Sequence, residues 1–257
     1  MTSRPALDFT PAPGAAPLPR MVLAQAAAEV RAVLRNGEQL LLTLIIPILV
    51  LVGFSAAPLL ELPGRRIDFV APGVLALAIM STAFTGQAIG TGFERRYGVL
   101  KRLGATPLSR PGLMLAKTLA VVTVEVLQIV VIAAVALAMG WHPQGDPVWA
   151  VLLVIAGTAA FSGLALLMAG TLRAEATLAA ANLVYLVLLG LGGVVLPVTA
   201  FPHAVRAVVE LLPITALTGG LRSVLAHGGG LPARELLVLL AWAAVTLFVA
   251  SRTFRWE

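Results

Sequence analysis

The chain has 257 residues, 59% of them hydrophobic and 12% charged, with 18 Lys and Arg, 12 Asp and Glu and no cysteine. Its few charges are spaced so as to leave apolar stretches long enough to cross a bilayer, and the missing cysteines exclude disulfides, thiolate metal sites and thiol chemistry. A sequence pI near 11 points first to nucleic acid, but basic residues gathered on one membrane face are explained by orientation alone, so no nucleic-acid partner is expected.

In chain order, residues 1–19 hold five of the 17 prolines and no unbroken apolar run. They read as a disordered cytoplasmic tail rather than a cleaved signal peptide. Residues 20–257 are expected to form a single transmembrane domain, all-α and polytopic. Leu23, Ala26, Ala27, Val30, Val33 and Leu34 recur at helical spacing while Arg31 and Arg35 fall on another face, which predicts an amphipathic helix at the membrane surface closed by Asn36 and Gly37.

Six transmembrane helices follow, at about 39–60, 69–93, 112–140, 147–170, 176–197 and 234–251, because roughly 20 apolar residues cross a hydrocarbon core of about 30 Å. The last is short but workable, since Arg234 and Arg252 can snorkel to the two interfaces. Pro47 in the first span removes one backbone hydrogen bond and bends the helix. The second span carries the small residues Ser81, Thr82, Gly86, Gly90 and Gly92, which favour close packing against protein.

Glu125 lies inside the third span with Gln128 beside it, three residues on. A mid-membrane carboxylate costs about 3 kcal/mol on insertion scales and must face protein, water or a partner. Two readings stand: a proton or substrate site, and a structural acid buried between helices or close enough to the boundary to meet Lys117.

The longest inner connection runs from Glu94 to Pro111 and contains Glu94, Arg95, Arg96, Tyr97, Gly98, Val99, Leu100, Lys101, Arg102, Leu103, Gly104, Ala105, Thr106 and Pro107. Val99, Leu100 and Leu103 share one helical face and Arg95 and Arg102 another, so a short amphipathic helix over 94–107 is predicted. Before the last span, Pro197, Pro202 and Pro213 punctuate two apolar helical patterns, each too short to span. These predict outer re-entrant helices over 198–227, with Gly220 and Arg222 on the second.

Six spans put both termini on one side. Arg4, Arg20, Arg31, Arg35, Arg95, Arg96, Lys101, Arg102, Arg110, Lys117, Arg173, Arg252 and Arg255 fall on that side, and Arg65, Arg66, Arg206, Arg222 and Arg234 on the other. This excess places both termini in the cytoplasm.

Three features together resemble the permease subunit of type 2 ATP-binding-cassette exporters, a family that includes bacterial drug, polysaccharide and lipid efflux systems. They are the interfacial helix before the first span, the segment from Glu94 to Leu103 followed by Thr106 and Pro107, and the proline-bounded outer helices, in which one ends at Leu212-Pro213 and the next runs through Gly220-Leu221-Arg222. Val99 stands where the family pattern usually has Thr.

The resemblance implies that the 94–107 helix docks into a groove of a separate ATPase subunit, two of which serve the assembly, and that the outer helices help close the exit. It also implies a second permease, identical or related, completing the path for an apolar or amphipathic substrate across the bacterial inner membrane. The apolar faces of the first, second and fifth spans are expected to line that path. ATP and Mg would sit on the ATPase subunits and no cofactor on this chain: Gly98 and Gly104 have five residues between them and are followed by Ala105-Thr106, which is not a phosphate loop.

Neither a catalytic set nor a metal cluster is expected. Ser162-Gly163 in the fourth span resembles part of a rhomboid-type protease motif, but Ala160 takes the first glycine position and His142, His203 and His227 all lie in outer loops. An ion-coupled transporter using Glu125, or a simple membrane anchor, would also account for apolar spans without calling on an ATPase.

Overall fold

The computed structural model describes residues 14–56, 65–194 and 197–253. Most of the predicted tail therefore lies outside the described residues, and the first helix, α1 (Leu18–Arg35), takes up the last two positions assigned to it. Next comes α2, residues 37–56, which begins α-helical, passes through a π-helical turn at Leu41–Ile45 and resumes as Ile46–Ala56. The long α3 (Arg66–Arg96) contains a second π segment, Met80–Gly86. After a break at Gly98 the chain forms α4 (Val99–Gly104), α5 (Arg110–Ala138), α6 (Pro147–Thr171) and α7 (Ala174–Leu191). Finally come α8 (His203–Val209), α9 (Pro213–Leu225) and α10 (Ala233–Thr253). No strand occurs among the described residues.

The apolar sequence windows become helices because a bilayer offers the backbone no water, and a helix satisfies its own amides. Among the described residues, α3, α5, α6, α7 and α10 are each long and apolar enough to cross. The apolar part of α2, Thr43–Ala56, is shorter, and the rest of the predicted first span, from 57 on, lies outside the described residues. The pair α8 and α9 bends by 90°. Both of its arms meet segments of one end of the bundle: Glu210 pairs with Arg234 at the start of α10, and the Leu225 carbonyl accepts from the Gln144 amide in the α5–α6 turn. A hairpin held at one end is re-entrant rather than crossing.

Several threonine and serine hydroxyls obey the same rule. Thr43, Thr118, Thr123, Thr177 and Thr246 each donate to the carbonyl four residues back, as does Ser81 to Leu77. Such back-bonding keeps a hydroxyl quiet in an apolar surround.

At the centre of the bundle is α3, 89% of whose apolar window is buried against only 22% for α7 and for α10. Its small residues explain this, since Ser81, Thr82 and Gly92 admit close neighbours. The consequence corrects one expectation. The second span lies inside the chain's own core and offers little surface to line a path, whereas α7 and α10 expose Leu183, Leu186, Val245 and Phe248.

Two further expectations shift. The packed face of α1 is Val22 and Ala26 against Ala116 of α5, while Leu23 is 62% exposed. The amphipathic helix is thus rotated relative to the sequence pattern, because its partner is α5 as well as the bilayer. The 94–107 segment is not one helix: Glu94, Arg95 and Arg96 end α3, and Gly98, at φ +68°, breaks the direction before α4. A left-handed conformation there favours glycine.

Candidate functional site

Residues named from sequence fall into three layers along the bundle. The first is the elbow between α3 and α4, on the face that carries most of the Lys and Arg. Arg95 donates to the Leu172 carbonyl at the end of α6, and Arg96 pairs with Glu175 in the first turn of α7. A cation at a helix C-terminus and an acid at an N-terminus both suit the helix dipole. These contacts fasten the elbow to the α6–α7 turn. The Arg96–Glu175 pair is exposed and contributes at most about 1 kcal/mol, so the partly buried Arg95 carries more of the attachment.

Beyond the elbow, Tyr97 is 62% exposed, and Lys101, Arg102, Thr106 and Pro107 are exposed. Val99 and Leu103 are half-buried. Arg102 donates to the Tyr97 carbonyl and Thr106 to the Leu103 carbonyl, closing the short turn on itself. Leu100 is only 2% exposed. The expectation that it meets a partner is corrected: it anchors α4 within this chain, and the outward surface is Tyr97, Val99 and Leu103 with the basic side chains.

Just inside this face Lys117 of α5, 4% exposed, lies 2.6 Å from Glu94 Oε2 of α3 and 3.3 Å from Glu29 Oε1 of α1. One ammonium thus joins three helices. Glu94, counted from sequence with the surface contact, belongs to this internal cluster instead.

The second layer lies deeper. Pro47 has no N–H, so the Thr43 carbonyl four residues earlier loses its usual helical donor. Gln128 Nε2 of α5 supplies the replacement. Its Oε1 accepts from Thr82 Oγ1, 2.7 Å away in the π segment of α3. Gln128, 2% exposed, therefore joins the two π segments. Glu125 is also 2% exposed, but turns to α6: its Oε2 accepts from Thr158 Oγ1 at 2.7 Å, and Oε1 has no hydrogen-bond partner among the described residues. Glu125 and Gln128 are neighbours that serve different helices, and Lys117 is committed to Glu94 and Glu29 rather than to Glu125.

Sequence reasoning misses Thr43, Thr82 and Thr158. Pro47 is the available signal for Thr43, since a proline four residues on frees a carbonyl. Thr82 and Thr158 differ from the back-bonding threonines only in what stands opposite them.

The third layer is at the far end. Pro202 precedes α8 and Pro213 opens α9 at N1, where a missing N–H costs nothing. Pro197 precedes the short 3-10 turn Val198–Ala200. Gly220 brings α9 against α6, where an added Cβ would come within 2.8 Å of Leu153 Cδ2. Arg222 is the keystone. Its guanidinium donates to the carbonyls of Phe69 (3.0 Å), Gly193 (2.5 Å) and Val194 (2.9 Å), and lies 3.5 Å from the centre of the Phe69 ring. One side chain thus binds α9 to the start of α3 and to the turn after α7. Gly73 permits it, since a Cβ there would sit 2.8 Å from both Arg222 Nη2 and the Val194 carbonyl oxygen.

Ser162 of α6 makes no hydrogen bond to a histidine among the described residues, and His227 Nδ1 faces the Arg222 carbonyl oxygen instead. No group of three or more potential metal-ligating side chains occurs among the described residues.

A family model described as ABC-2 type transporter matches residues 22–226, from the second turn of α1 to just past α9. No curated protein matches the chain. The matched range takes in the elbow, the polar layer and the Arg222 hairpin in one frame. The chain belongs to the ABC-2 type transporter family, as a multi-pass membrane permease.

Proposed function

We propose that this permease works as half of the membrane unit of an ATP-driven exporter. It pairs with a second permease and with two ATPase subunits that carry ATP and Mg, and moves an apolar or amphipathic compound outward across the bacterial inner membrane. The basic face, with both termini and α4, lies in the cytoplasm, a placement that its excess of Lys and Arg supports. The observation that carries the reading is the elbow: an aromatic and two half-buried aliphatic side chains ringed by cations, fastened through Arg95 and Arg96 to a second inner turn. Such a surface suits a protein partner with an apolar groove and acidic rim, and its fastening suits transmission of movement into the spans.

The test replaces Tyr97 and Leu103 by Asp together, which leaves every basic residue and the buried Leu100 in place. A docking partner then loses its apolar anchors and must desolvate two carboxylates. Loss of co-purification of a co-expressed ATPase subunit, from a variant inserted in the normal orientation, is the expected result. Undiminished co-purification and transport would overturn the proposal.

A further inference from the structure

Asn182 is the ninth of the 18 residues of α7, which puts it about 12–14 Å from either end of the helix and near mid-membrane. It is exposed, and its amide has no hydrogen-bond partner among the described residues. Its helix neighbours are settled: Thr177 donates to the Arg173 carbonyl, and the Tyr185 hydroxyl lies 3.5 Å from Ser81 Oγ. On α5 the exposed Thr118 and Thr123 bond within their own helix. Hydrocarbon offers an amide neither donor nor acceptor, so an unpaired one at this depth is heavily penalised and calls for another protein surface opposite it.

The amide distinguishes this face from the other uncovered ones. On α10 the outward side chains are Leu237, Leu240, Val245 and Phe248, and on α5 they include Val122, Val126 and Val130; lipid satisfies both. Around Asn182 the sequence has the spacing of a helix seam. Glu175, Ala179, Asn182, Leu186 and Leu189 follow the 3.5-residue repeat of two helices wound round each other, the first four exposed and Leu189 half-buried. Beside them Gly190 has nothing within 4 Å of an added Cβ, so a neighbouring helix is free to approach closely.

Depth and symmetry identify the partner. Two copies inserted in the same direction are related by a two-fold axis along the membrane normal, and a face on that axis meets its own counterpart at the same depth. Such a face must complement itself. Asn182 does, because an amide carries both donor and acceptor and two of them exchange hydrogen bonds. Glu175 would confront a like charge, but Arg96 of its own chain already pairs with it. We infer that α7 forms a seam against a second copy of this chain, with Asn182 bonding reciprocally to Asn182 of the partner subunit. This rests on the paired-permease reading and commits it to a homodimer.

The experiment uses the full chain, purified without ATPase subunits and placed in lipid vesicles. Energy transfer between donor- and acceptor-labelled copies, each tagged at the C-terminus, gives the protein-to-lipid ratio at half-association. Asn182→Leu breaks no hydrogen bond within the chain, so its fold is kept, and it should weaken association about tenfold, or ~1.4 kcal/mol, within the range of interhelical hydrogen bonds. The chain has no native cysteine, so single cysteines locate the seam. Ala179→Cys and Leu186→Cys should form disulfide-linked dimers on mild oxidation, much faster than Val245→Cys on the uncovered face of α10.

Association unchanged by Asn182→Leu would mean that the amide faces water in a path or lipid, and would overturn the inference. Cross-linking as fast at position 245 as at 179 and 186 would place the contact elsewhere and overturn it as well. No association at any ratio would exclude a second copy as the partner. Each of these outcomes leaves ATP-driven export with a non-identical permease standing, just as failure of the Tyr97 and Leu103 test would leave this seam untouched.

Discussion

Replacing Arg222 by Met keeps the length and apolar stem of the side chain but removes all three donors to Phe69, Gly193 and Val194. Hydrogen bonds to charged groups are each worth about 1.5–3 kcal/mol on truncation, for a gross loss of about 4.5–9 kcal/mol. Against this, the variant no longer desolvates a guanidinium, which returns several kcal/mol. The net expectation is destabilisation by about 2–4 kcal/mol. Denaturant titration of the purified protein in mixed micelles measures it, and hydrogen exchange locates it: protection should fall in α9 and at 192–194 before it falls in α6.

Gly73→Ala gives an independent check on the same geometry. In the native background its Cβ meets Arg222 Nη2 and the Val194 carbonyl oxygen, both at 2.8 Å. With Met at 222 one of these obstacles is gone, so the double variant should be more stable than the sum of the singles predicts, by about 1 kcal/mol. Native stability of Arg222→Met, or strict additivity in the cycle, would refute the account of Arg222 as a three-way tie.

Glu125→Gln should keep much of the transport activity, because the amide oxygen still accepts from Thr158; abolished transport in an assembled complex would make Glu125 a proton or substrate site. Glu125→Leu should be worse, but only by about 1 kcal/mol in unfolding, since Thr158 can turn back to a carbonyl of its own helix as the other threonines do. Lys117→Met strands Glu29 and Glu94 and should destabilise by about 3–5 kcal/mol; protease accessibility of α1 reports it, and an unchanged α1 would show that the cluster does not hold that helix. Gln128→Leu leaves the Thr43 carbonyl without a donor and should cost about 1–3 kcal/mol. Its effect should shrink in a Pro47→Ala background, where the backbone donor to Thr43 returns and only the bond from Thr82 is lost, and thermal unfolding of the four variants measures the coupling.

The spans are legible in sequence because hydropathy acts through a bulk solvent: any 20-residue apolar stretch meets the same hydrocarbon whatever surrounds it. The polar layer is not, since Thr82 and Thr123 look alike in sequence and differ only in how their helices are rotated toward neighbours. Arg222 counts in sequence as one outer charge among five, a tally blind to burial; its three carbonyl partners come from residues more than 25 positions away. Sequence pattern turns Leu100 outward because a helix of six residues is too short for periodicity to tell the face turned to its own bundle from the face turned to a partner.

The fastening of the elbow to the α6–α7 turn has a mechanical consequence. A force applied at Tyr97 does not enter through α3 alone. Through Arg95 it reaches the end of α6, and through Arg96 the start of α7, so the two turns act as the short arm of one lever. The long arms are α3, buried at the centre, and α7, largely uncovered at the rim. A torque too small to shear the packed core can still swing the rim, and the displacement is then greatest in the helix with the fewest contacts to break.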